Sequence, residues 1–146
     1  MKVYLDACCL QRPMDDQTQP RIHVETEAVL AVLSAVEAGE IQLIGSDALE
    51  YEIANIPNQE RRAQSLAVLS LASTRSICTD QVIALAEQIE NMGIRSMDAL
   101  HLALASVAHA DFFVTCDDFL LRKGRQVPDL HCKVVSIYEL VQELQP

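Results

Sequence analysis

The chain has 146 residues, half of them hydrophobic, which at roughly 100–200 residues per domain makes one domain (1–146) with one core. Its 11 basic and 21 acidic residues leave a net charge of −10. That balance excludes gripping nucleic acid through a basic footprint alone, but not a substrate reached through a bound divalent cation. Aromatic residues make up 4% with no Trp, too few for a platform that stacks single-stranded bases. Five cysteines (Cys8, Cys9, Cys78, Cys116, Cys132) are an odd number without a CxxC pair. Adjacent Cys8 and Cys9 do not suit the ligand spacing of a tetrahedral zinc site, and all five read as small buried hydrophobes. No apolar leader and no run of about 18 apolar residues occurs, so the expectation is a soluble, reduced, cytoplasmic protein with no membrane contact.

Lys2–Leu5 alternates like a short buried strand, and Gln11–Pro20, bounded by prolines, reads as a loop. Arg21–Ala38 has a helical apolar recurrence that Gly39 stops. Ile41–Gly45 is a second strand, followed by a helix over Asp47–Asn55 capped by Ser46 and ended by Pro57. A helix over Gln59–Ser73, a weak strand at Arg75–Cys78, and a helix over Gln81–Asn91 capped by Asp80 and closed by Gly93 come next. Ser96 caps a helix running to about Ala110, and Asp111–Cys116 is the clearest strand. A short helix at Asp118–Lys123, a strand at Cys132–Ser136 and a helix at Ile137–Leu144 complete the chain. Strands alternating with helices imply parallel pairing, hence an α/β fold: a three-layer α/β/α sandwich with a central sheet of about five short strands and about seven helices.

In an open parallel sheet, ligands bind beyond the carboxyl ends of the strands, where strand order reverses. Asp6 directly follows the first strand, and Asp117 and Asp118 directly follow the strand that ends at Thr115. No GxGxxG or GxxxxGK[ST] occurs, which excludes dinucleotide and P-loop chemistry. Asp98 lies in the first turn of a helix that is apolar nearly all round. Such a carboxylate serves the helix dipole or, at the mouth of a buried helix, finds a metal partner. Glu50 and Glu52 stand about 200° apart on their helix, so only one faces a common site. Glu52 flanks the apolar stripe of Leu49, Ile53 and Ile56 more closely. Carboxylates converging with few basic residues call for a hard cation, Mg2+ or Mn2+, of the kind that serves phosphodiester hydrolysis.

Four islands in this order, VYLDACCL, GSDALEYEI, SMDALHLALA and FFVTCDDF, resemble a PIN-domain ribonuclease of the VapC-like toxin type, from Val3 to near Ser136. The resemblance implies a metal-dependent endoribonuclease holding one or two Mg2+ or Mn2+ ions. Asp6, Glu52, Asp98 and Asp117 would be its acids, with Asp6, Asp98 and Asp117 on the metal. Asp118 would be an auxiliary acid, Thr115 a hydroxyl orienting the Asp117 side, and Glu50 the competitor of Glu52. It also implies an RNA substrate, an antitoxin protein that inhibits the site, and a homodimer.

Arg12 and Arg95 are candidate phosphate binders, Arg95 being the better placed beside Asp98. His101, three residues after Asp98, reads first as a satisfied core histidine and second as an acid–base group. Asp15 and Asp16 read as solvated loop acids. A haloacid-dehalogenase-like phosphatase needs a second acid two residues after Asp6, where Cys8 stands. An inactive PIN-like binding module is the remaining alternative, opposed by the intact set of four acids.

Overall fold

The structure, a computed structural model, describes residues 1–144. Five strands, β1 (Lys2–Leu5), β2 (Gln42–Ser46), β3 (Thr74–Ser76), β4 (Phe112–Thr115) and β5 (Lys133–Ser136), form one sheet in the order β3-β2-β1-β4-β5, every pair parallel. β1 is central, with Val3 opposite Leu43 on one side and Leu5 opposite Val114 on the other. Successive strand side chains point to opposite faces, yet Val3, Tyr4 and Leu5 are all fully buried, so helices cover both faces of the sheet. This is the three-layer architecture expected from the alternation of strands and helices.

The helices are α1 (Ala7–Gln11), α2 (Pro20–Glu37), α3 (Asp47–Ala54), α4 (Gln59–Leu69), α5 (Asp80–Glu90), α6 (Ser96–Val107), α7 (Asp118–Gly124) and α8 (Ile137–Glu143). Most of them start where local chemistry directs. Ser46, Asn58, Thr79 and Asp117 each accept a backbone N–H of the first turn, and Ser136 and Glu139 form a reciprocal capping box. Gly39 ends α2 at φ +78° and Gly93 follows α5 at φ +94°, a region that side-chain-bearing residues avoid. α6 is the most deeply buried helix: Ala99, His101 and every residue from Leu102 to Ser106 are buried, and it packs against α5, α3 and the sheet. α2 packs against α8. Burying a large apolar side chain such as Leu102 or Phe113 contributes about 1.5–3 kcal/mol.

Several boundaries differ from the sequence expectation. Between β1 and the loop expected from Gln11 the chain first forms α1, because Asp6 caps the new helix, and the loop itself opens with a 3-10 turn at Arg12–Met14. There are thus eight α-helices among the described residues rather than about seven. Thr79, not Asp80, caps α5, and Arg95 occupies the cap position of α6 while the Ser96 hydroxyl donates to Glu90 Oε1 at 2.7 Å. α4 stops at Leu69, since the chain must turn there into β3 beside β2. No described helix is long and apolar enough to cross a membrane.

Candidate active site

β1 is flanked by β2 and β4, so the strand order reverses beside it, and the carboxyl ends of β1 and β4 form the crevice in which parallel sheets hold ligands. Asp6 lies at that point, its backbone N–H still donating to Val114 O at 2.9 Å. Its side chain is 6% exposed and fully engaged. Oδ1 accepts from the Ala7 N–H at 2.8 Å; Oδ2 accepts from the Thr115 hydroxyl at 3.0 Å and the Cys8 thiol at 3.2 Å. Burial pushes the Asp6 carboxyl well up, neighbouring Cys8 and Asp98 add to that, and His101 opposes it.

Asp98, half-buried in the first turn of α6, is also raised, first by burial and then by the charge of Asp117, with Glu52 adding and His101 and Arg95 opposing. Asp98 thus lies within electrostatic reach of Asp6, Asp117 and Glu52, which come from three other stretches of chain. Asp117 is held at both ends. Its N–H donates to Thr115 Oγ1 at 3.0 Å and its Oδ1 accepts the Leu120 N–H at 3.0 Å, so one oxygen caps α7 and the other stays available. Thr115 thus orients Asp6 directly and Asp117 through its backbone.

Glu52 enters from α3. It meets His101 Nε2, while His101 Nδ1 meets the Tyr4 hydroxyl at 2.6 Å and Tyr4 meets Ser46 Oγ at 2.7 Å. Ser46 Oγ also accepts the Leu49 N–H at 3.0 Å, so the cap of α3, Tyr4, His101 and Glu52 form one continuous hydrogen-bonded chain. His101 and Tyr4 are fully buried, so Glu52 is fixed from inside the core. His101 is the satisfied core histidine expected, and one of the groups that satisfy it belongs to the acidic site. Tyr4 has no such signal in the sequence; only its position two residues before Asp6 on the central strand hints at it.

Other candidates are placed elsewhere. Glu50 points outward into a two-pronged pair with Arg75, with contacts of 2.7 and 2.9 Å, and Asp118 is clasped by Arg21 at 2.8 Å through both oxygens. Both pairings hold the carboxyls low. Arg12 is engaged within the fold: it donates to Asp15 at 2.9 Å, and its Nε lies 3.3 Å from buried Glu25. Asp15 is not merely solvated, since Arg61 also donates to it at 2.8 Å. Arg95 is exposed, near Asp98, and has no ion pair among the described residues.

Beside the acids lies a group the sequence reading passed over. The thiols of Cys8, Cys9 and Cys116 converge within 4.8 Å of one another. Adjacent Cys8 and Cys9 do point to a common place, because they open a helix beside the end of β4 rather than continuing a strand. The neighbouring thiols and Arg12 pull Cys116 down, while Cys8 and Cys9 are raised.

No protein-family model matches the sequence, and no curated protein is significantly similar to it. Solved structures match its fold over nearly the whole length. VapBC2 from Rickettsia felis, bound to a DNA fragment from its promoter, is 14% identical, covering 92% of this chain and 99% of that one, with a TM-score of 0.58. PAE2754 from Pyrobaculum aerophilum is 16% identical, covering 99% of this chain and 98% of that one, with a TM-score of 0.57. At such identities the likeness is one of fold. The chain has the VapC-like PIN fold that its four motifs implied.

Proposed function

We propose that the chain is a Mg2+- or Mn2+-dependent endoribonuclease, the toxin of a toxin–antitoxin pair, acting as a single domain over 1–146. The reading is supported by the positions of Asp6 and Asp117 just beyond the carboxyl ends of β1 and β4, at the switch point of the sheet, and by the charge effects that link Asp98 to Asp6, Asp117 and Glu52. A hard cation fits this donor set. All the donors are carboxylate oxygens, and among the described residues no Lys or Arg pairs with Asp6, Asp98 or Asp117. The acids are spaced more widely than the thiol cluster, which suits an ion that keeps several waters rather than one closely caged by protein.

When bound, the cation supplies an activated water and neutralises charge at the scissile phosphodiester. The chain supplies position. Asp6 is held in place by three donors, and Thr115 ties that carboxylate to the Asp117 backbone. Asp98 and the uncapped oxygen of Asp117 would share the cation with it. Glu52, pinned by His101, presents a carboxylate that accepts the proton of the attacking water. Arg95, free at the rim, binds a substrate phosphate, whereas Arg12 is held within the fold. The net charge of −10 keeps RNA from binding by charge alone, so recognition runs through the cation and the rim. An inhibitory antitoxin partner, a homodimer and a cytoplasmic location belong to the same reading. The likeness to VapBC2, solved on its promoter DNA, supports the antitoxin partner.

Cleavage of single-stranded RNA in Mn2+ tests it. Asp6→Asn, Asp98→Asn and Asp117→Asn are each expected to lower the rate by at least about 100-fold. Folding is retained, since Asn still caps α1 and α7. RNA cleavage by the triple variant, or none by the native chain, overturns the nuclease; the latter result leaves an inactive binding module.

A further inference from the structure

We infer that Cys8, Cys9 and Cys116 form a three-sulfur site for a soft monovalent cation of the Cu(I) class, beside the carboxylate pocket and touching it where the Cys8 thiol meets Asp6. Cys8 and Cys9 open α1 directly after β1, and Cys116 follows β4, the strand paired with β1. The Cys9 and Cys116 sulfurs stand 3.5 Å apart, and all three sulfurs fall within 4.8 Å of one another. A metal about 2.3 Å from each sulfur holds three of them about 4 Å apart in a plane. Loading therefore requires side-chain shifts of less than an ångström. The backbone is already set for it: the Cys116 N–H donates to Cys8 Sγ at 3.3 Å, and the Asp6 N–H ties the start of α1 to β4.

The donor set selects the ion. Thiolates favour soft cations, and no His, Asp or Glu among the described residues joins the cluster at the same spacing. Asp6 Oδ2 reaches Cys8 alone, at 3.2 Å. Zinc in a closed protein site takes four ligands, so three sulfurs without a fourth donor favour an ion content with three. Cys9 and Cys116 are buried, and half-buried Cys8 leaves one way in. The Arg12 guanidinium lies beside Cys116, where Asp15 and Glu25 hold it in place.

The test is anaerobic titration of the full chain with Cu(I) against the chromogenic chelator bicinchoninate, with Zn2+ in a parallel arm. The native chain is expected to withhold one Cu(I) per molecule, and Cys78→Ser/Cys132→Ser to do the same. Cys8→Ser, Cys9→Ser and Cys116→Ser should each lose it while circular dichroism shows an unchanged fold. Copper X-ray absorption of the native chain should count three sulfur neighbours, a readout that needs no variant. Failure of the native chain to hold copper, retention by the Cys8/Cys9/Cys116 triple serine variant, a two-sulfur count, or stronger binding of Zn2+ than of Cu(I) overturns the assignment. None of these readouts depends on RNA cleavage.

Discussion

Asp98 shows what a single buried carboxylate costs. Its pKa is raised above the ordinary 3.8, so the folded chain binds its proton more tightly than the unfolded chain does. Stability then falls as pH rises from about the unfolded value through the raised folded value, and the loss persists above it. Without divalent cation, urea titrations between pH 4 and 8 are expected to show the native chain losing stability with pH relative to Asp98→Asn; identical profiles would remove Asp98 from the acidic cluster. The comparison must be with the variant, because Glu50 and Asp118, lowered by their arginines, push the native profile the other way. At this scale the sequence was partly legible. Helix geometry separated Glu52 from Glu50, since residues 200° apart face different ways. The partners that decide their roles, His101 for one and Arg75 for the other, come from distant segments that no spacing rule joins.

Elements carry a different lesson. Ser46 closes β2, caps α3 and is hydrogen-bonded to Tyr4, so one hydroxyl couples a strand, a helix and the buried chain of contacts to Glu52. Asn58 does the capping alone, on the exposed start of α4. Ser46→Ala should therefore cost about 2–4 kcal/mol, a cap plus a buried Tyr4 hydroxyl left without one of its partners, against about 1 kcal/mol for Asn58→Ala. Chemical denaturation of both variants checks the order; equal losses would mean that Ser46 acts as a cap only. The cap at Ser46 and the stops at Gly39 and Gly93 were readable because each is a contact between near neighbours in sequence. The helix over Ala7–Gln11 was not legible, because its cap, Asp6, lies at the end of a strand and its five residues are too few to show a helical period.

For the molecule as a whole, a cation that binds only the folded state must stabilise it. Mn2+ at about 100 times its dissociation constant adds roughly 2.7 kcal/mol, so the melting temperature should climb with Mn2+ in the native chain and stay flat in the triple Asp→Asn variant. A flat response in both would count against the carboxylate pocket as a metal site. The sequence by itself determined the fold class, because alternating strand and helix periods leave a parallel sheet as the economical way to bury both kinds of apolar face. It also placed Asp6 and Asp117 at strand ends, since that is a matter of counting residues. Only the tertiary structure decided that β1 and β4 are neighbours, and with that the rest followed. Asp6 meets Thr115, Tyr4 reaches His101, and two adjacent cysteines find a third more than a hundred residues away. Such contacts depend on strand order in space, which the local periodicity of a chain does not encode.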